Sequence, residues 1–232
     1  MKKPRKLYTA LTREEMWLGL MYLALELFVL PSLLSLGNGM LPRPLSGAVL
    51  NFGFFAINFV SVVVIFRKFL LKSLSMAGKH VAAFLQTVVL GFVAYWVSNA
   101  LLGFLIGLAL PGFSNPNDAN IAQLGRSNFL LTAIGTVLLV PTAEECLYRG
   151  LVFRGLYGKS RVWAYCVSAA LFSAIHVMGY LNAGQWLYCA AAFIQYIPAG
   201  LCLAWAYEKA DSIFAPIVIH TAINAIGIYA VR

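Results

Sequence analysis

The sequence predicts an all-α fold, a polytopic transmembrane helical bundle of about seven spans, with six to eight as the range. Of the 232 residues, 61% are hydrophobic and only 11% are charged, and the mean hydropathy is +0.82. Soluble domains carry about 25% charged residues, so this composition excludes an ordinary soluble protein. The apolar residues form runs of about 20, the length that a helix needs to cross a bilayer. We therefore expect residues 1–232 to form a single integral membrane domain surrounded by lipid.

The apolar runs give the order of the predicted spans. The first follows a basic segment and has no small-residue cleavage site, which favours a retained helix over a signal peptide. The longest polar connection, residues 111–126, is rich in turn formers and is predicted to be a surface loop. The predicted spans are residues 16–36, 46–66, 81–110, 127–154, 162–181, 185–207 and 212–231.

The 17 Lys and Arg residues are distributed unevenly between the two sides of the predicted membrane. Most lie in the N-terminal segment and in alternate connections, which leaves Arg43, Arg126 and Arg232 on the other side. Because short cytoplasmic loops are enriched in Lys and Arg, this pattern predicts a cytoplasmic N-terminus, an external C-terminus and a location in the plasma membrane. The net charge of +9 then reflects topology. We expect no nucleic-acid partner, because no basic face lies outside these loops.

Charged side chains inside the fourth span are the main functional signal. Glu144, Glu145 and Arg149 follow twelve uncharged residues, 129–140. Each such charge costs roughly 2.5–3.5 kcal/mol at the centre of an inserted helix, so intramembrane charges usually serve a function. A buried structural ion pair is the alternative.

Helix geometry separates the roles of the two acids. Successive side chains diverge by about 100°, so Glu144 and Glu145 cannot face one cavity in the same way. Glu145 and Arg149 have the i, i+4 spacing that favours an ion pair. That pairing leaves Glu144 available for proton transfer. Pro141 lacks a backbone N–H and is expected to loosen the helix one turn before the acids.

Two histidines also lie within predicted spans. His176 is in the fifth span and His220 is in the last, where Asn224 stands one turn further on the same face. Both His220 and Asn224 can donate hydrogen bonds to an oxygen that gains charge. Glu26 in the first span is expected to have a structural or gating role. Cys146 is expected to be a packing residue, because burial in apolar surroundings does not favour the thiolate form of a cysteine.

Together these residues resemble the CAAX protease and bacteriocin-processing family, also called Abi or CPBP. The resemblance covers residues 127–231, the motif-bearing helices. Its motifs are Glu144-Glu145-x-x-x-Arg149, Phe172-x-x-x-His176 and His220-x-x-x-Asn224.

The resemblance implies a glutamate-dependent intramembrane endopeptidase. It makes Glu144 the catalytic acid, with Glu145 and Arg149 as its supporting pair. A membrane-associated peptide or protein is the implied substrate. Members of the family include prenyl-protein endopeptidases, peptide-processing enzymes and immunity proteins, so the substrate itself is not implied.

For the remaining motif residues, the resemblance implies that His176 helps to bind the attacking water and that His220 and Asn224 stabilise the oxyanion. A carboxylate, an imidazole and two donors in a dry cavity also suit water attack on an amide on chemical grounds. This scheme requires the residues to converge. From the predicted spans, Glu144 lies ~5 Å to the cytoplasmic side of its span midpoint and His176 ~7 Å to the other side, so a tilt or shift must bring them together.

Three alternatives remain open. A zinc-dependent version of the protease would use Glu and His as ligands, but no His-Glu-x-x-His pair is present, and we favour catalysis with no required cofactor. A non-proteolytic bacteriocin-immunity or membrane scaffold protein would keep these residues for packing. A transporter would be expected to show related segments in two halves, whereas the polar residues here cluster in the C-terminal half.

Overall fold

In the computed structural model, residues 6–181, 184 and 186–230 are described, and they form helices and connections without a β-strand. Arg232 and residues 1–5, which entered the topology prediction, lie outside the described residues. The prediction of an all-α polytopic bundle is confirmed. The helices are α1 Arg13–Phe28, α2 Leu30–Gly39, α3 Gly47–Ile65, α4 Arg67–Lys79, α5 Val81–Ala109, α6 Pro116–Ser127, α7 Phe129–Tyr157, α8 Arg161–Met178, α9 Trp186–Ala210 and α10 Phe214–Ala230.

Among the described residues, five helices are long and apolar enough to cross a membrane: α3, α5, α7, α8 and α9. The first predicted span is instead a broken pair, because α1 and α2 meet at an angle of 47° around Val29. Pro31 stands in the first turn of α2, where its missing N–H costs least but where a continuous helix would lose a hydrogen bond. Counting that pair as one span gives six, and the apolar helix α10 is shorter.

The prediction of a loop over residues 111–126 is wrong, because helix α6 begins at Pro116. The side chain of Asn115 accepts a hydrogen bond from the Asn117 amide, and Pro116 occupies the first turn with Asp118. An Asn cap, a proline in the first turn and an early acid are the features of a helix start. The residues interpreted as turn formers therefore begin a helix.

Helix α4 connects α3 to α5 and is amphipathic, which the span map did not predict. Phe69 and Ser73 are buried, whereas Lys68 and Lys72 are exposed. The carbonyl of Ser73 accepts a hydrogen bond from the Ser212 hydroxyl, which fixes α4 to the α9–α10 connection. A helix with one basic and one apolar face is suited to lie along a membrane surface.

At the same end of the bundle, residues 7–12 form a non-helical segment that we call the N-terminal strap. The amides of Tyr8 and Thr9 donate to the carboxylate of Asp211 at 2.7 and 3.0 Å, and Arg154 Nε donates to the Thr9 carbonyl at 2.8 Å. Asp211 has a φ of 48°, a left-handed conformation that Asp tolerates better than most residues. The strap then enters α1 through a capping box formed by Thr12 and Glu15.

The core is centred on α7. Aromatic and aliphatic side chains from α3, α4, α8, α9 and α10 surround it, and Tyr148, Phe153, Phe172 and Tyr207 are among those fully or almost fully buried. The acids at the middle of α7 are thus held inside the protein, where lipid does not reach them.

Candidate active site

Helix α7 changes its hydrogen-bonding pattern on both sides of the acids. Val140–Glu145 is α-helical, and it is flanked by π-helical segments at Ile134–Leu139 and Cys146–Phe153. The amide of Val140 bonds to the carbonyl of Gly135, five residues back. Pro141, which cannot donate, follows immediately, so the widened turn lies where the sequence predicted a loosened one. Single π-helical turns occur frequently at functional sites.

The π-helical segments present backbone carbonyls to side chains of neighbouring helices. Asn224 Nδ2 in α10 donates to the backbone carbonyl of Thr136 at 2.8 Å. The hydroxyl of Ser168 in α8 donates to the backbone carbonyl of Tyr148, also at 2.8 Å. Both bonds satisfy acceptors that would otherwise be buried in apolar surroundings. They fix α8 and α10 against α7 on either side of the acids.

Glu145 and Arg149 form an ion pair inside the bundle. Arg149 Nη1 donates to Glu145 Oε1 at 3.0 Å, and both side chains are completely inaccessible to solvent. The same Oε1 atom is 2.8 Å from Nδ1 of His220, which is also buried. A carboxylate oxygen can only accept, so His220 carries its hydrogen on Nδ1. Glu145 therefore links the arginine of α7 to the histidine of α10.

Arg149 is held by two further groups. Its Nη2 atom donates to the carbonyl of Gly200 in α9 at 3.2 Å, and its guanidinium carbon lies 4.3 Å from the centroid of the Phe172 ring. Arginine is suited to this combination of ion pair, carbonyl acceptor and aromatic face. Gly200 has no side chain, which allows its backbone to pack directly against α8. A Cβ at this position would lie only 2.8 Å from Cα of Ala169.

Glu144 faces away from that pair and towards α8. Its Oε2 atom lies 4.0 Å from Nε2 of His176, and neither side chain is more than one-fifth exposed. His176 Nδ1 is 2.7 Å from the carbonyl of Phe172. Because a carbonyl only accepts, Nδ1 carries hydrogen, and in the neutral ring Nε2 directs its lone pair at Glu144. The separation is too long for a direct hydrogen bond and suggests a bridging water.

Tyr196 in α9 also belongs to this site, and the sequence did not indicate it. Its ring stacks on His176 with a centroid distance of 4.1 Å, and its hydroxyl donates to Asp118 Oδ1 at 2.9 Å and accepts from Asn117 Nδ2 at 3.0 Å. Polar residues at the start of α6 thus fix the ring that covers His176. Only its position next to Gln195, in an otherwise apolar span, could have drawn attention to it.

The structure brings all six residues singled out in the sequence to the middle of α7 and the facing parts of α8 and α10. Glu144 lies beside His176, while Glu145 lies between Arg149 and His220. The predicted difference in depth between Glu144 and His176 is absent, because α8 is placed so that their side chains meet. Asn224 is on the same face of α10 as His220 and is fixed to Thr136.

Two other residues considered in the sequence differ in their surroundings. Cys146 is completely buried in the apolar core. Glu26 faces a small cavity that Glu144 also lines, and its Oε2 atom has no hydrogen-bond partner among the described residues. Among the described residues, no cation or polar group of a neighbouring helix is therefore bonded to that atom.

The side chains of the site are a poor fit to a catalytic zinc ion, which takes three protein ligands and a water. In the part of the chain that the structure describes, no three His, Cys, Asp or Glu side chains are grouped so that they could hold a metal. Glu144 and His176 face each other, but the next histidine, His220, directs Nδ1 at Glu145. Glu145 is itself bonded to Arg149.

Comparison with known proteins supports the family suggested by the motifs. Residues 126–226 match the family model described as Rce1-like, type II CAAX prenyl endopeptidase. The chain is also similar to UPF0177 protein YbdJ of Lactococcus lactis subsp. lactis strain IL1403, with 27% identity over 128 residues. That similarity covers 55% of this chain and 51% of YbdJ, about half the length of the relative. No solved structure matches the chain.

The resemblance to the CAAX protease and bacteriocin-processing family is thus confirmed over residues 126–226, the part of the chain that matches the Rce1-like family model. That region contains every motif residue from Glu144 to Asn224. The apolar helices and this membrane-protease family together identify an integral membrane protein.

Proposed function

We propose that this protein is a glutamate-dependent intramembrane endopeptidase that hydrolyses a peptide bond of a membrane-associated peptide or protein. The observation that carries the proposal is the 4.0 Å separation of Glu144 Oε2 and His176 Nε2 inside an apolar bundle. A carboxylate and an imidazole at this spacing can hold one water molecule between them. Residues 126–226 match a family model of prenyl endopeptidases, and this similarity supports the same reaction.

The proposed attacking water donates one hydrogen bond to Glu144 and one to Nε2 of His176. Both partners are acceptors when Glu144 is ionised and His176 is neutral with its hydrogen on Nδ1. The two bonds orient the water so that a lone pair on its oxygen is free to attack a carbonyl carbon. General-base activation of this kind contributes about 10²–10⁴-fold to a rate.

In the proposed reaction, the water oxygen bonds to the carbonyl carbon while Glu144 takes one of its protons. The carbonyl π electrons move to the oxygen, which becomes the oxyanion of a tetrahedral intermediate. The C–N bond then breaks, its electron pair moves to nitrogen, and Glu144 returns the proton to the leaving amine. The products are a carboxylic acid and an amine, and no redox cofactor or co-reactant is needed.

We propose His220 and Asn224 as the groups that face the oxyanion. Glu145 accepts the hydrogen on Nδ1 of His220 and so fixes the ring, and the second ring nitrogen, Nε2, is the atom whose N–H donates to the oxyanion. Asn224 uses one amide hydrogen on Thr136 and keeps a second for a ligand. Glu145 and Arg149 support these groups without contacting the substrate.

We favour a mechanism without a metal ion. Zinc at the Glu145–His220 position would compete with the Arg149 guanidinium, which already lies 3.0 Å from the carboxylate. Glu144 with His176 alone supplies fewer ligands than a catalytic zinc site uses.

The experiment is cleavage by the purified protein in detergent. The substrates are a peptide that ends in a prenylated CAAX sequence and a library of unprenylated peptides. We expect wild type to cleave at least one and Glu144→Gln to lose about 10²-fold or more of the rate with normal yield. Glu14→Gln, an exposed acid on α1, is the control. Equal activity of wild type and Glu144→Gln overturns the proposal, and absence of cleavage by wild type favours an immunity or scaffold role.

A further inference from the structure

Glu26 is an intramembrane acid that the proposed mechanism leaves unused. It lies in the last turn of α1, next to the bend at Val29. An acid at membrane depth is costly to keep. On the same helix, Glu14 is exposed and pairs with Lys68 at 3.4 Å, and the buried Glu15 accepts hydrogen bonds from the amides of Thr12 and Phe69. Glu26 has no such partner on its Oε2 atom among the described residues, so it requires a different explanation.

Glu26 and Glu144 line the same cavity, which has a volume of about 20 Å³. Its walls come from α1, α3 and α7, and its only other polar side chain among the lining residues is Asn58, since the rest are apolar, among them Phe54 and Leu147. A space of roughly 10–15 Å³ or more with polar walls is enough for one water molecule. The cavity is therefore large enough for a water that contacts both carboxyl groups.

One carboxyl oxygen of each of the two acids lacks a hydrogen-bond partner among the described residues. Oε2 of Glu26 and Oε2 of Glu144 are both inaccessible to solvent and make no hydrogen bond to any described residue. Asn58 is already fixed, because it accepts from the Tyr22 hydroxyl at 2.6 Å and donates to the Phe54 carbonyl at 3.0 Å. Buried polar atoms are almost always hydrogen-bonded to protein or to ordered water, so the unbonded Oε2 of Glu26, on a cavity that the Glu144 side chain also lines, indicates a water between the two side chains.

We propose that Glu26 is a positioning residue for Glu144: through one water molecule in this cavity it holds the Glu144 carboxyl group towards His176. Glu144 then has two water contacts, one with the attacking water beside His176 and one with the fixed water beside Glu26. This inference rests on the proposed function, because it assigns Glu26 a part in orienting the general base.

A purely structural role would give Glu26 different surroundings. A structural acid in this bundle is bonded to a cation or to backbone amides, as Glu145 is to Arg149 and Glu15 is to the amides of Thr12 and Phe69. Glu26 instead shares its cavity with a second acid, and a like-charged neighbour is the least favourable partner for packing alone. Tyr22, one turn before Glu26 on the same face of α1, fixes Asn58 and so shapes the wall opposite.

The test compares Glu26→Gln, Glu26→Asp and the control Glu14→Gln in the cleavage assay. Because small displacements of a reacting group cost up to about 100-fold, we expect Glu26→Gln to lower kcat by 10- to 100-fold with KM and Tm as in Glu14→Gln. Glu26→Asp, which keeps the carboxyl group, should recover part of the rate. In the Glu144→Gln background, Glu26→Gln should cause no further loss. An unchanged kcat in Glu26→Gln overturns the inference. It is also overturned if Glu26→Asp loses as much activity as Glu26→Gln and both variants have a lowered Tm.

A second measurement separates failure of this inference from failure of the proposed function. A membrane-permeant carbodiimide labels carboxyl groups in apolar surroundings, and the labelling of Glu144 can be followed by mass spectrometry without any substrate. We expect Glu26→Gln to change the labelling rate of Glu144 well beyond the difference between wild type and Glu14→Gln. An unchanged rate overturns the link between the two acids even if cleavage is never observed, and a changed rate in a protein that cleaves nothing supports the link while the peptidase proposal fails.

Discussion

The ring of Tyr196 lies on the ring of His176 with centroids 4.1 Å apart and planes inclined by 31°. Tyr196 is held in turn by Asn117 and Asp118 at the start of α6. The histidine of the proposed site is therefore oriented by a polar contact to a helix outside the core. Stacking limits rotation of the imidazole about its side-chain bonds and keeps Nε2 directed at Glu144.

Replacement of Tyr196 should lower activity in two steps. Tyr196→Phe keeps the stacked ring and removes the hydroxyl, so we expect a loss of a few-fold at most. Tyr196→Leu removes the ring, and we expect a loss approaching about 100-fold because His176 is no longer oriented. The measurement is kcat for both variants, with Tyr188→Phe as the control. Full activity in Tyr196→Leu would show that His176 does not need the stack.

Glu145 and Arg149 should behave as a stability pair. Glu145→Gln leaves the buried guanidinium without its charge partner, which costs about 3–5 kcal/mol. We expect a lower yield and a lower Tm, and the double variant Glu145→Gln with Arg149→Met should recover much of that stability. Glu144→Gln should gain nothing from the Arg149 change. If Glu145→Gln is stable but inactive while Glu144→Gln still cleaves, the two acids have exchanged roles.

The closest helix crossing in the site should not tolerate a methyl group. Gly200→Ala places Cβ 2.8 Å from backbone and side-chain atoms of Ala169, so α8 and α9 must separate. We expect destabilisation of about 1–3 kcal/mol in thermal unfolding and reduced activity, because Arg149 bonds to the Gly200 carbonyl. Gly155→Ala in α7 meets open space and is the matched control. Equal Tm values for the two variants would contradict the crossing.

Activity should survive removal of metal ions. With Glu144 as the base and no required ion, cleavage should be unchanged after prolonged treatment with strong chelators. The measurement is the initial rate before and after treatment, with a zinc peptidase as the positive control. Loss of activity on chelation and its return with zinc would favour the zinc-dependent alternative.

The orientation of the chain follows from its basic residues and can be tested directly. We expect the strap and α4 on the cytoplasmic side and the C-terminus outside. A reporter that is active only outside the cytoplasm should be active when it is fused after Arg232. A reporter that is active only in the cytoplasm should be inactive at the same position. The opposite result would reverse the predicted topology.

Much of the arrangement was predictable because it depends on local patterns. The apolar runs correspond to helices, and the i, i+4 spacing of Glu145 and Arg149 gives the observed ion pair. The start of α6 was missed because Asn, Pro and Asp favour both turns and helix N-termini, and the difference depends on the residues that follow.

Other features depend on contacts between distant residues. The π-helical turns of α7 depend on acceptors such as the Thr136 carbonyl finding Asn224 in α10, 88 positions away. His220 was expected to stabilise the oxyanion, and its additional bond from Nδ1 to Glu145 is a contact that helix periodicity cannot reveal. The role of Tyr196 could not be predicted either, because it depends on the contacts of its hydroxyl with Asn117 and Asp118 in α6.

The N-terminal strap has a consequence for the order of assembly during synthesis. Its residues leave the ribosome before those of helices α1 to α10, yet the carboxylate that binds the Tyr8 amide belongs to a residue 203 positions later. The strap therefore lacks its Asp211 partner until α1 to α9 have been synthesised. Its docking onto Asp211 and Arg154 requires that the ends of α7 and α9 have already come together, so contacts made by the earliest segment of the bundle are completed among the latest.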